Sequence, residues 1–78
     1  LPMGAYITQV LENSGAAEAG LQEGDIITDF AGVKIMNMDV LVETVSGLEV
    51  GDTADIRVIR NGNDVVETKI KIYDANNL

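Results

Sequence analysis

The chain has 78 residues, enough for one domain with a small core, and its 13 acidic and five basic residues give a formal net charge of −8 at pH 7. An acidic chain repels the phosphate backbones of nucleic acids and anionic lipid surfaces, so we expect no nucleic-acid partner. No stretch has the length and hydrophobicity of a membrane span, and we expect no direct membrane insertion.

The first part of the chain predicts a strand followed by a short helix. Apolar residues within the segment 5–10 indicate a strand with imperfect alternation. Ser14 carries a hydroxyl that can cap the first backbone N–H groups of a helix, and Gly20 can adopt the left-handed conformation that ends one. Residues 14–20 therefore predict a helix of about two turns.

A tight turn and a hairpin are predicted next. The pair Gly24-Asp25 is typical of a turn, and it leads into the apolar residues of a second strand over 26–30. Gly32 then marks a second turn into residues 33–35. We interpret these two segments as a tight β-hairpin.

The segment 38–46 predicts a second helix. Asn37 can cap its start, and Gly47 can stop it. Its apolar residues recur at helical spacing and so form one continuous stripe. The residues of this stripe are Met38, Leu41, Val42 and Val45.

The last part of the chain predicts a two-stranded hairpin with one face buried. Residues 53–60 alternate between apolar and polar side chains, as a strand with one solvated face does. Asn61-Gly62 follows, which is a strong signal for a short hairpin turn. The partner strand is predicted over residues 66–72. We therefore expect a single domain over residues 1–73 and a disordered tail at residues 74–78.

The residue types that are missing exclude several kinds of catalytic site. The chain has neither cysteine nor histidine, so it lacks a thiolate nucleophile and the usual base of a serine nucleophile. Its serines are Ser14 and Ser46, and both lie at predicted helix boundaries. We predict no catalytic residue, no cofactor and no metal site in this chain.

Several carboxylates lie close together in the sequence and could in principle act as acid–base pairs. Asp25 with Asp29, and Asp52 with Asp55, have suitable spacing, but glycine turns adjoin them and we interpret them as solvated turn residues. Glu49 with Asp52 and Asp55 offers oxygen ligands for calcium. An ordered ligand loop of the kind used by tight calcium sites is missing there.

Two linked patterns carry a resemblance to a known family. Residues 4–7 match its glycine-led strand entry, and residues 14–25 match its Ser-Pro-Ala-x-x-Ala-Gly-Leu-x-x-Gly-Asp segment. A short hairpin, a helix, a Gly-Asp pair and a last hairpin follow in the family's order. The chain resembles a PDZ domain of the bacterial type attached to HtrA/Deg serine proteases. The resemblance implies an α+β fold, a small partly open β-barrel or sandwich of about five strands with two short helices.

The chain departs from the family pattern at three places. Gly15 stands where proline is usual, and Ala31-Gly32 stands where Asn-Gly usually makes the turn; we expect each to weaken local stability slightly. The family's Tyr-Leu-Gly-Ile-like loop, which offers backbone N–H groups to a terminal carboxylate, has no counterpart before residues 5–10. We expect the domain to be N-terminally truncated, with this loop upstream in the intact protein, and the fragment to bind peptide weakly or not at all.

The resemblance also implies where a peptide would bind. In the family, the helix that corresponds to residues 38–46 walls the pocket for an apolar terminal side chain. It therefore implies Met38, Leu41, Val42 and Val45 as peptide-binding residues, with Leu41 and Val45 in the pocket and Met38 at its rim. The alternative is that all four residues belong to the core.

The resemblance implies two alternative functions. The first is a peptide-binding module of an extracytoplasmic HtrA-like serine endopeptidase, either free or membrane-anchored, whose triad lies in a separate protease domain. It would capture apolar C-terminal or unfolded segments by β-augmentation and regulate proteolysis in protein quality control. The second is a scaffold or adaptor PDZ domain without catalysis, or one from a C-terminal processing or intramembrane protease. An exposed sheet edge would also allow an edge-paired homodimer.

Overall fold

The fold is described for residues 3–73 in a computed structural model. The predicted tail at residues 74–78 lies outside the described residues. Between residues 3 and 73, neither helix has the length and hydrophobicity that crossing a membrane requires. Five strands and two helices follow one another as β1 (Ala5–Tyr6), α1 (Gly15–Glu18), β2 (Ile26–Phe30), β3 (Val33–Lys34), α2 (Met38–Ser46), β4 (Thr53–Arg60) and β5 (Asp64–Lys71).

The strands form one antiparallel sheet in the order β1-β2-β4-β5, with β3 paired to β2. The longest pairing joins β4 to β5, from Thr53 opposite Lys71 to Arg60 opposite Asp64. Strand β2 is central because β1, β3 and β4 all pair with it. This arrangement confirms the predicted α+β class with about five strands and two short helices.

The core lies between the inner face of the sheet and the two helices. Strand β4 supplies every second side chain to it, as the alternation in the sequence predicts. The single phenylalanine, Phe30, is fully buried, and aliphatic side chains fill the space around it. The largest fully buried aliphatic residues are Ile27, Ile35, Ile56, Val58, Ile70 and Ile72.

Both predicted helix caps are present. The Ser14 hydroxyl accepts a hydrogen bond from the Ala17 backbone N–H at 3.1 Å, and the Asn37 side-chain oxygen accepts one from the Val40 N–H at 3.0 Å. Gly20 has a φ of 85°, the left-handed conformation expected after a helix. Helix α1 is nevertheless shorter than predicted, because the Gly20 N–H bonds the Ala17 carbonyl three residues back and tightens the last turn.

Two strand predictions differ from the structure. Strand β1 covers Ala5–Tyr6 and not residues 5–10. After Tyr6, only Ile7 forms backbone hydrogen bonds with the turn before β2, through Gly24 and Asp25. Strand β5 begins at Asp64 and not at Val66, since Asp64 pairs with the last residue of β4. The loop between β4 and β5 therefore consists of the residues 61–63.

The structure explains the conformation at two departures from the family pattern, Gly15 and Ala31-Gly32. A Cβ atom at Gly15 would overlap the backbone carbonyl oxygen of Lys71, so the close approach of α1 to the end of β5 requires glycine there. Ala31 has a φ of 53° and Gly32 a φ of 80°, which together form the tight turn between β2 and β3. Alanine is strained in this conformation because its Cβ approaches the following carbonyl.

Candidate functional site

A groove of about 280 Å³ lies between helix α2 and the segment 6–11. Every residue from Tyr6 to Leu11 contributes to one wall, and α2 forms the other. Ala16 and Ile27, which belong to the core, contact the groove from below. An apolar groove of this size can hold one or two aliphatic side chains.

The four sequence-predicted residues of α2 all line this groove, but at different depths. Leu41 and Val45 are only 5% and 4% exposed, so they form its floor and contribute to the core at the same time. Met38 and Val42 are 47% and 60% exposed, so they form the accessible part of the helical wall. Leu41 and Val45 therefore belong to the core as well as to the groove, whereas Met38 and Val42 lie outside the core, contrary to the alternative that all four are core residues.

The wall opposite α2 presents an unpaired strand edge. The Ile7 N–H donates to the Asp25 carbonyl and the Ile7 carbonyl accepts from the Gly24 N–H, both at 2.8 Å, so the backbone of Ile7 faces the β2 side. Backbone groups of successive residues in an extended chain point to opposite sides, so those of Tyr6 point away from β2. Within residues 3–73, no other strand pairs with β1, and this edge is open to an added strand.

The same chain matches the PDZ domain family over residues 2–72. The chain belongs to the PDZ domain family. It is 46% identical over 61 residues to a probable periplasmic DegP-like serine endoprotease of Pseudomonas putida, a match that covers 78% of this chain and 13% of that protein. It is 40% identical over 72 residues to the Do-like serine protease HtrA of Lactobacillus helveticus, covering 92% of this chain and 17% of the relative.

Solved structures share the fold of this chain. The PDZ domain of an SdrC-like protein from Listeria monocytogenes superposes with a TM-score of 0.80 at 26% identity, covering 94% of this chain and 75% of that one. A variant of the HtrA-type protease AlgW with a decapeptide also gives a TM-score of 0.80, at 24% identity, covering 87% of this chain and 20% of that one. This PDZ domain thus spans only 13% to 17% of the length of the curated relatives named above.

Part of the groove was missed by reasoning from the sequence. Tyr6 and Leu11 line it and are 55% and 46% exposed, although the sequence assigned Tyr6 only to a strand. A usable signal was present, because Leu11 is a large apolar residue that lies outside the predicted strand and just before the cap of α1. Apolar residues in such places have no core position to occupy and often mark a binding surface.

Asp25 of this PDZ domain has a role that the sequence did not reveal. Predicted as a solvated turn residue, it is only 1% exposed, and its carboxylate accepts hydrogen bonds from Arg60 Nε at 2.9 Å and Arg60 Nη2 at 2.8 Å. The Gln22 backbone N–H donates a third bond to it at 3.0 Å. The side-chain bond from Arg60 holds the pKa of Asp25 below its ordinary value of 3.8, against the opposing effect of burial.

Other carboxylates that the sequence analysis weighed as acid–base pairs or calcium ligands contact neighbouring groups. Asp29 lies 3.6 Å from the Arg57 guanidinium, and Asp55 lies 3.8 Å from the Lys69 ammonium. Asp52 accepts a hydrogen bond from the Glu49 backbone N–H at 2.8 Å, which stabilises the turn before β4. Over the part of the chain that the structure describes, no three acidic residues lie close enough to hold a metal ion.

Proposed function

We propose that this PDZ domain is the peptide-binding module of an extracytoplasmic HtrA-like serine endopeptidase, in which it captures apolar C-terminal or extended segments of substrate proteins and regulates proteolysis. The observation that carries the proposal is the pairing of an open strand edge with an apolar helical wall across one groove. An extended peptide added to such an edge gains main-chain hydrogen bonds, and its alternate side chains face the helix.

The groove favours an aliphatic side chain at the bound end of the peptide. Its floor, Leu41 and Val45, is already shielded from water, and an aliphatic group placed above it against the exposed Met38 and Val42 removes apolar surface from water on both partners. Met38 at the rim has a flexible thioether side chain that adapts to ligands of different shape. We infer that Val42 contributes most to affinity among the exposed residues, because it lies beside the floor and is accessible.

The parent enzyme is inferred from the relatives. The proteins from Pseudomonas putida and Lactobacillus helveticus are serine proteases, and the former is described as periplasmic. A hydrolase with an additional protease domain and an extracytoplasmic location accounts for both similarities. Peptide binding to this PDZ domain would then bring substrate to the protease domain or favour one of its activity states.

A calorimetric titration tests the peptide-binding function. The 78-residue chain is titrated with a short peptide that alternates valine and leucine and ends in a free carboxylate. Two comparison peptides carry the same sequence, one with N-methylated backbone at alternate positions and one with an amidated end. β-Augmentation predicts that N-methylation abolishes binding, because it removes the donors that pair with the strand edge.

The amidated peptide separates the two ligand classes. Loss of affinity on amidation would mean that the domain recognises a free C-terminal carboxylate. Unchanged affinity would mean that the groove binds extended internal segments. If the unmodified peptide binds neither the 78-residue chain nor the parent protein, or if the N-methylated peptide binds equally well, peptide capture by strand addition is refuted. A scaffold role is distinguished in the parent protein, which would bind the peptide but would not cleave casein.

A further inference from the structure

The groove wall opposite α2 is held to the rest of the domain near its two ends. At one end, the Ile7 N–H and carbonyl form 2.8 Å hydrogen bonds with Asp25 and Gly24 in the turn before β2. At the other end, the Leu11 carbonyl accepts hydrogen bonds from the Ser14 hydroxyl at 2.7 Å and from the Ser14 N–H at 3.3 Å. The residues between these ends lie outside the strands. The position of the wall therefore depends on the turn before β2 and on the start of α1.

Arg60, at the end of β4, contacts both of these supports. Its Nε donates to one oxygen of the Asp25 carboxylate at 2.9 Å, and its Nη2 donates to the other at 2.8 Å. The same Nη2 donates to the Gly20 carbonyl, just after α1, at 3.1 Å. The Asp25 carboxylate also accepts the Gln22 N–H at 3.0 Å and so closes the turn on which Ile7 rests. One side chain therefore connects this turn to the C-terminal end of α1.

Helix α1 transmits the restraint to the far end of the wall. The helix contains only four residues, and the Glu18 N–H donates to the carbonyl of its N-cap, Ser14, at 3.0 Å. A displacement of its C-terminal end at Gly20 therefore also displaces Ser14. Because Ser14 holds Leu11, both ends of the wall are coupled to Arg60.

The contact between Arg60 and Asp25 has the geometry of a rigid link. The Asp25 side chain is 1% exposed and that of Arg60 is 22% exposed. A planar guanidinium that binds both oxygens of a carboxylate fixes the orientation of the two groups as well as their distance. Neither residue lines the groove, so any effect of this pair on peptide binding must act through the wall.

We propose that Arg60, together with Asp25, is a positioning residue of the peptide groove, which holds the wall formed by residues 6–11 at the distance from α2 that an added strand requires. The proposal rests on the proposed peptide-binding function, since it concerns the same groove. A wall that is fixed before the peptide arrives needs no ordering on binding, and this pre-organisation raises affinity. Loss of the link should therefore weaken peptide binding although every groove residue is still present.

Two substitutions of Arg60 test this role. Arg60→Met keeps an unbranched side chain but removes every hydrogen-bond donor to Asp25 and Gly20. Arg60→Lys keeps a counter-ion for Asp25 and so protects the fold, but its ammonium lacks the planar fork. If Arg60→Met does not fold, Arg60→Lys carries the comparison.

The control is a loss of stability that originates elsewhere in the core. Ile56 is 2% exposed and lies on β4, outside the groove. Ile56→Val and Ile56→Ala both remove buried methyl groups and lower stability to different degrees. Each Arg60 variant is compared with the Ile56 variant whose urea midpoint is nearer to its own.

Calorimetry measures the affinity for the valine-leucine peptide with a free carboxylate, at a temperature where circular dichroism shows every variant to be folded. The 78-residue chain and the parent protein with the same substitutions are both titrated. Arg60→Met should weaken binding about tenfold and Arg60→Lys about threefold, because the peptide must then order the wall. The stability-matched Ile56 variants should bind as tightly as wild type.

Amide hydrogen exchange of the 78-residue chain reports on the wall without any peptide. The Ile7 N–H should exchange about tenfold faster in an Arg60 variant than in the matched Ile56 variant, because its carbonyl partner belongs to the loosened turn. The Ile72 N–H, which donates to the Asp52 carbonyl at 2.8 Å, lies outside the groove and should exchange equally fast in both.

The outcomes separate the positioning role from the peptide-binding function. If wild type binds peptide and the Arg60 variants bind as tightly as the matched Ile56 variants, the positioning role is refuted and the peptide-binding function stands. The same conclusion follows if Ile7 exchanges at the same rate in both kinds of variant. If wild type binds peptide neither as the 78-residue chain nor in the parent protein, both proposals fail.

Discussion

Arg60 and Asp25 are 35 residues apart in the chain, and their side chains join the end of β4 to the start of β2. The Arg60 guanidinium also donates a hydrogen bond to the Gly20 carbonyl at 3.1 Å, at the end of α1. One side chain therefore connects β4, the turn before β2 and the C-terminal end of α1. Ile7, at the groove wall, bonds to the backbone of the same turn, so this ion pair supports the geometry of the groove from behind.

We predict that Asp25→Asn destabilises the domain by about 2 to 3 kcal/mol, because the loss of one charge leaves a partly buried guanidinium without its counter-ion. The free energy of unfolding is measured by urea titration. Asp55→Asn is the control, since Asp55 is 81% exposed at its side chain and its pair with Lys69 should contribute less than about 0.5 kcal/mol. Equal effects of the two substitutions would contradict a special role for the buried pair.

The same pair predicts a difference in pH dependence between wild type and Asp25→Asn. The pKa of Asp25 is lower in the folded state than its ordinary value of 3.8, because Arg60 favours the ionised carboxylate. The unfolded state therefore binds the proton first as pH falls, and the contribution of Asp25 to stability is complete above the ordinary pKa. It should be lost as pH falls from that value through the folded pKa.

This dependence is measured as unfolding free energy from neutral pH down into the acid range. The wild-type curve should converge on that of Asp25→Asn only below the folded pKa of Asp25, since both proteins then carry a neutral group at this position. Curves that stay parallel over this whole range would show that the Asp25 pKa is not lowered on folding.

The turn between β2 and β3 predicts a stabilising substitution. Ala31 is exposed and has a φ of 53°, where alanine is strained by about 1 kcal/mol and glycine is not. Ala31→Gly should therefore leave the free energy of unfolding unchanged or raise it, and Ala31→Asn should raise it by about 0.5 kcal/mol. Ala17→Gly is the control for glycine in an exposed helical position, and it should lower stability by about 1 kcal/mol. The stability of all three variants is measured by thermal unfolding. A loss of the same size in Ala31→Gly and Ala17→Gly would be inconsistent with strain at Ala31.

The different depths of the groove residues predict which substitutions separate binding from folding. Val42→Ser should weaken binding of the valine-leucine peptide about tenfold, because an accessible apolar contact is lost, with little change in stability. Val65→Ser is the matched control, since Val65 is also 60% exposed but lies on β5, outside the groove. Calorimetry should find its affinity unchanged.

Leu41 behaves differently because it belongs to the core as well as the groove. Leu41→Ala should lower the free energy of unfolding by about 2 to 3 kcal/mol, and any loss of affinity in this variant then includes loss of folded protein. Chemical denaturation monitored by circular dichroism gives this value. A stable Leu41→Ala variant would mean that the floor of the groove is not part of the core.

Local sequence patterns predicted most of the secondary structure. The caps at Ser14 and Asn37 and the glycine at position 20 act on backbone groups within four residues, so their effect is visible without the fold. The lengths of β1 and α1 were less predictable. The pairing partners of β1 and the tightening of the last turn of α1 both depend on how the segment before β2 is placed.

By itself, the sequence determined the order of the helices and strands and the apolar stripe of α2, because helix and strand periodicities are properties of neighbouring residues, and its resemblance to PDZ domains implied the class of fold. The tertiary structure alone decided that Leu41 and Val45 are buried while Val42 remains accessible, and that Tyr6 and Leu11 face α2 across a groove. It also decided that Asp25 meets Arg60. These features are contacts between residues far apart in the chain, and a local pattern contains no information about which distant surface a side chain will meet.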